Sequence, residues 1–140
     1  MDTLARRAFK LGAWLFVGIF VGHTIAQLAT DLTPQTPARA AVFTAMGTTL
    51  GMDGSMHTLL DFQRGDSYAM GFMFLAVGAL LLVVARTFDQ RGEPYPRAFS
   101  GAGFLIALAA LLLSVRFFPV PPIIVMSVAT IAFGFTYSRS

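Results

Sequence analysis

Residues 67–85 read Ser-Tyr-Ala-Met-Gly-Phe-Met-Phe-Leu-Ala-Val-Gly-Ala-Leu-Leu-Leu-Val-Val-Ala, a run of 19 positions with no Asp, Glu, Lys or Arg. As a helix the run is ~28 Å long, close to the ~30 Å hydrocarbon core of a bilayer. Three more blocks share the property: Leu11–Thr30, Ala98–Val115 and Phe117–Ser138. The pattern predicts an all-α chain forming a four-helix transmembrane bundle in a single membrane domain, residues 1–140. The spans fall at about 11–30, 67–86, 98–116 and 120–138, and an outer loop covers 31–66.

Composition points the same way. Hydrophobic residues make up 56% of the 140 and charged residues only 12%, against about 25% charged in a soluble domain. So short a chain cannot hide that much apolar surface in its own core, so lipid and other integral membrane subunits are the expected covering. No basic and aromatic stripe suggests a nucleic-acid partner. The chain has no cysteine, which excludes disulfides, thiol chemistry and Cys-ligated metal centres.

Arg and Lys placement predicts the orientation. Arg6, Arg7, Lys10, Arg86, Arg91, Arg97 and Arg139 fall on one side, and Arg39, Arg64 and Arg116 on the other. This puts both termini in the cytoplasm. The basic start followed by an apolar run has the look of a signal peptide, but the run continues to Thr30 and is read as an uncleaved span.

The outer loop opens with Thr33-Pro34-Gln35-Thr36-Pro37, an extended or turning stretch. A short interfacial helix is expected over Ala38–Met52, with Val42, Met46 and Leu50 on one side. Asp53 or Ser55 is placed to cap the next helix, and Met56–Asp66 to extend span two outward. Phe118-Pro119-Val120-Pro121-Pro122 is a hard stop, with the last helix expected to begin at Pro122.

Each span carries a stripe of small residues, which lets membrane helices approach closely. The stripes are Gly18, Gly22, Ala26 and Ala29; Ser67, Gly71, Gly78 and Ala85; Gly103, Ala107, Ala110 and Ser114; and Ser127, Thr130, Gly134 and Ser138. Bulky residues such as Phe72, Phe74 and Leu105 are expected to face lipid. Trp14 and Tyr137 are read as interfacial anchors.

His23 is the one ionisable side chain inside a span, and His23, Gln27 and Asp31 recur at i, i+4, i+8. Imidazole can ligate haem or bacteriochlorophyll, or bond a quinone. The plainer expectation is a neutral histidine bonded to a neighbouring helix, with no cofactor. A second line, His57, Asp61, Arg64 and Tyr68, shares one helical face outside the membrane. It lacks the ligand set for a metal and a nucleophile for hydrolysis. An Asp61–Arg64 ion pair with Tyr68 as an interfacial ring is the expected reading.

The stretch His57-Thr58-Leu59-Leu60-Asp61-Phe62-Gln63-Arg64-Gly65, running into Met70-Gly71-Phe72 and Gly78-Ala79-Leu80, resembles a segment of small bacterial four-span inner-membrane proteins of uncharacterised function. The resemblance spans about residues 57–86 and implies four crossings of a bacterial inner membrane. It implies no activity. The expectation is a non-catalytic accessory or assembly subunit of a larger respiratory or photosynthetic complex, not an enzyme. The alternatives are a cofactor-binding protein using His23 and a small channel or transporter lined by the His23 face.

Overall fold

The computed structural model describes residues 2–47, 57–118 and 120–140. They form five helices: α1 (Thr3–Leu32), α2 (Pro37–Met46), α3 (Leu59–Arg91), α4 (Arg97–Phe117) and α5 (Val120–Ser138). All but α2 are long and apolar enough to cross a membrane. No strand occurs among the described residues.

Local chemistry sets the helix ends. Asp2 caps α1, accepting from the Ala5 N–H at 2.7 Å. Helix α1 therefore starts eight residues before its apolar block, through the basic stretch. Pro34 follows its end, and Thr36 with Pro37 starts α2. The expected interfacial helix runs no further than Met46; Leu50, Asp53 and Ser55 lie outside the described residues. Helix α3 is capped instead by Thr58, in a reciprocal box with Asp61. Its other end closes on Gly92, whose φ of +69° is left-handed. There the Glu93 N–H reaches back to the Phe88 carbonyl at 3.0 Å. Helix α5 begins at Val120 rather than Pro122, so Pro121 and Pro122 occupy its first turn, where a missing N–H costs nothing.

In space the order is α3–α1–α5–α4. Helix α1 is central, packed on α3 on one side and α5 on the other, while α4 leans mainly on α5 and α2 rests on α3. Consecutive helices α3 and α4 share at most a marginal contact. Both termini and the α3–α4 loop gather at one end, called here the terminal end. The opposite, distal end carries α2 and the α4–α5 turn.

A run of rings holds the centre. Phe74 of α3 stacks on Phe16 of α1 at 5.9 Å, and Phe16 on Phe133 of α5 at 5.8 Å. Phe133 meets Phe9 edge-on at 5.5 Å, and Phe9 meets Tyr95 of the α3–α4 loop at 4.7 Å. Such pairs contribute about 0.5–1.5 kcal/mol each beyond the area they bury. Phe74 therefore packs inward, against the expectation of a lipid-facing ring.

Glycine makes room for the rings. A Cβ on Gly12 would sit 2.6 Å from the Phe133 ring, and one on Gly103 would sit 2.8 Å from it. Phe133 is clasped between α1 and α4 and is wholly buried. Gly78 lets α3 meet α1 so closely that a Cβ there would lie 2.9 Å from the Ala13 carbonyl oxygen.

The small-residue stripes divide. Ser67, Gly71, Gly78 and Ala85 are buried, as are Gly103, Ala107 and Ser114. On α1 the expected stripe is on the wrong face. Nothing among the described residues lies within 4 Å of a Cβ at Gly18 or Gly22, and Ala26 and Ala29 are exposed. The packed face carries Ala5, Phe9, Gly12, Ala13 and Phe16; Gly18 lies about 180° around the helix from Phe9. On α5 the packed residues are Met126, Ala129, Ala132, Phe133 and Thr136, a face rotated from Ser127, Thr130, Gly134 and Ser138.

Substituting Gly12→Leu or Gly103→Leu is expected to destabilise the bundle by on the order of 2 kcal/mol through collision with Phe133. Adding Phe133→Ala to Gly103→Leu should restore part of the loss. Unfolding in mixed micelles would measure both; additive losses would show that the two sites do not share the ring.

Candidate functional site

A line of polar side chains runs along the seam of α1 and α3 in the distal half of the bundle. The helices are antiparallel, so His23, Gln27 and Asp31 on α1 face Ser67 and then Arg64 on α3. His23 Nε2 lies 3.0 Å from the Ser67 carbonyl oxygen and 2.8 Å from its Oγ. Ser67 Oγ donates to Gln27 Oε1 at 3.2 Å. One turn further out, Arg64 donates to Asp31 Oδ1 at 2.9 Å.

The chemistry fixes the direction of these bonds. A carbonyl only accepts, so in the neutral ring Nε2 carries the proton. Ser67 Oγ then accepts from His23 and passes its own proton toward Gln27. His23 lies over Gly71, where an added Cβ would be 3.4 Å from its ring. The ladder is therefore a tie between helices. For Nε2 to ligate a haem or a bacteriochlorophyll, it would first have to give up Ser67, and Gln27 already receives the serine proton.

The expected Asp61–Arg64 ion pair does not form. Asp61 is held by its own cap: Thr58 Oγ1 and the Thr58 N–H donate to Asp61 Oδ2 at 2.8 and 3.0 Å. These bonds, the backbone one first, hold its carboxyl below the usual range. Arg64 pairs with Asp31 across the seam, not with Asp61. His57 precedes the helix, and Tyr68 is 37% exposed. No group of three or more His, Cys, Asp or Glu side chains among the described residues could hold a metal ion.

A second polar assembly, absent from the sequence reading, closes the terminal end. Helix α3 at 33 residues is ~50 Å long, longer than the ~30 Å apolar core. Asp89 therefore lies past its apolar block. It takes Arg6 at 2.6 Å, Lys10 at 2.5 Å and the Tyr95 hydroxyl at 2.8 Å. Arg6 also donates to the Glu93 carbonyl at 2.9 Å and lies 5.4 Å over the Tyr95 ring. Burial alone would raise the Asp89 carboxyl, but the bonds from Lys10, Tyr95 and Arg6 outweigh it and hold it low. Burial and the neighbouring carboxylate push the Tyr95 hydroxyl well up, so it stays a donor. Beside it, Thr136 Oγ1 donates to the Ala5 carbonyl at 3.2 Å, and the Ser140 and Ser100 hydroxyls meet at 3.3 Å. The available signal was Arg6 and Lys10 at i, i+4 flanking Phe9, a basic face that wants an acid.

No protein-family model, curated protein or solved structure matches the chain.

Two outcomes are expected. Asp89 has a lowered folded pKa, so its stabilisation is full above its ordinary value of 3.8 and is lost as the pH falls through the folded value. Acid titration of micellar unfolding should show this loss below about pH 4, and Asp89→Asn should be less stable at neutral pH with a flatter acid limb. At the other end, Ser67→Ala should cost about 1 kcal/mol. Its effect should be non-additive with His23→Leu, and a double-mutant cycle without coupling would remove the ladder as a tie.

Proposed function

We propose that the protein is a non-catalytic accessory or assembly subunit of a larger bacterial inner-membrane complex, respiratory or photosynthetic, with both termini in the cytoplasm. The observation that carries this reading is the uncovered face of α1. Gly18-x-x-x-Gly22, continued by Ala26 and Ala29, has no packed neighbour among the described residues, and Val21 and Ile25 beside it are 46% and 61% exposed. A second transmembrane helix gains close backbone contact there. The fitting occupant is a span of another integral membrane subunit.

The polar inventory supports the same reading. A pump or channel keeps ionisable groups turned toward a pathway. Here His23, Gln27 and Asp31 are engaged with α3, and their bonds serve cohesion. The excess of Arg and Lys at the terminal end supports the orientation.

Gentle detergent extraction and native electrophoresis test the proposal. The protein should migrate in a complex larger than its own oligomer, and Gly18→Leu with Gly22→Leu should release it while its melting in micelles is unchanged. Migration alone, or only as a homo-oligomer, would sink the reading.

A further inference from the structure

A groove of about 360 Å³ runs between α4 and α5 on the outer surface of the bundle at the terminal end, lined by Gly101, Phe104, Leu105, Gly134 and Tyr137. Its volume falls within the range of small-molecule sites, roughly 300–1,000 Å³. Two glycines make it. A Cβ on Gly101 would stand 3.3 Å from the Tyr137 ring, and one on Gly134 would stand 3.3 Å from the Phe104 ring. The floor is bare backbone and the walls are aromatic.

The mouth of the groove is charged. Arg97, the first residue of α4 and one turn before Gly101, sits with its guanidinium 4.4 Å from the centre of the Tyr137 ring. Among the described residues, no carboxylate pairs with it; the two acceptors of ion pairs are Asp31 and Asp89, each engaged elsewhere. The Tyr137 hydroxyl is likewise without a hydrogen-bond partner among the described residues. A cation stacked on a ring keeps its N–H edge free for an anion.

We propose that this groove binds one anionic phospholipid, its phosphate held by Arg97 and the Tyr137 hydroxyl and one acyl chain lying across Gly101 and Gly134 against Phe104 and Leu105. Dimensions and charge select this occupant. From Arg97 to Leu105 the helix rises ~12 Å, most of the ~15 Å depth of one leaflet's hydrocarbon. The polar group stands at the end where the span meets water. Past the Tyr137 hydroxyl, the lining residues Gly101, Phe104, Leu105 and Gly134 carry no polar side chain. The unpaired arginine adds a preference for a negative headgroup that a plain lipid-facing surface lacks.

Native mass spectrometry of the delipidated protein, with phosphatidylglycerol or phosphatidylcholine of identical chains added back, tests this. The wild type should retain phosphatidylglycerol about fivefold better, the contribution of one arginine beside an anionic headgroup. Arg97→Gln should reduce phosphatidylglycerol to the phosphatidylcholine level. Arg116→Gln, at the far end of α4, should leave the preference intact. Gly101→Leu should weaken retention of both lipids. Leu105→Gln, a change at a 64% exposed position, makes the same test of the groove without crowding Tyr137. Equal retention of the two lipids by the wild type overturns the proposal, as does a preference that survives Arg97→Gln. Unchanged retention in a folded Gly101→Leu or Leu105→Gln protein overturns the acyl groove.

Discussion

Lipid tails are as apolar as leucine, so these helices gain little by hiding apolar side chains from their solvent. What holds them is close approach, and close approach centres on one ring. Phe133 fits against both Gly12 and Gly103, joining three helices through positions that can carry no side chain. The rings of Phe16, Phe74, Phe9 and Tyr95 extend that contact to α3 and to the α3–α4 loop. The order α3–α1–α5–α4 follows: Phe16 of α1 stacks on Phe74 of α3 and on Phe133 of α5, and Phe133 fits against Gly103 of α4.

Polar groups take the rest of the work, one set at each end. At the terminal end, Asp89 gathers two cations and a phenol from different parts of the chain. At the distal end, Ser67 bridges His23 and Gln27 while Arg64 reaches Asp31. In hydrocarbon an unmet polar group is costly, and these sets leave few. The histidine that a cofactor would use is thereby part of the frame. Two features of the outer surface among the described residues take no part in this frame: the glycine face of α1 and the groove of α4 and α5.

The spans were legible because membrane thickness imposes a length and a lack of charge that any reader can measure. Helix faces were less so. Helix α1 has small residues on two sides, and Gly18 with Gly22 makes the more conspicuous pattern. The packed side is marked by Gly12 and Ala13 among aromatics, which reads as a lipid face until Phe133 is placed against it. The α1 face of His23 was visible in its i, i+4, i+8 spacing, but its partners on α3 were not. Arg64 could equally have met Asp61, one turn away; the cap at Thr58 takes that carboxylate and leaves Arg64 to α1. Asp89 carried no pattern of its own, since its two cationic partners, Lys10 and Arg6, lie 79 and 83 positions away.

The place of Phe133 also bears on how the chain is built. Helix α1 precedes the other three spans in chain order, yet its packed face needs α3 on one side and α5 on the other. Helix α5 is the fourth span in chain order and carries the ring that fills Gly12. During synthesis, α1 and α3 can pair early, while the Gly12 side of α1 stays open to lipid until α5 has inserted. Contacts so far apart in sequence are slow to close. The first of these spans and the fourth thus complete each other only when the last has inserted.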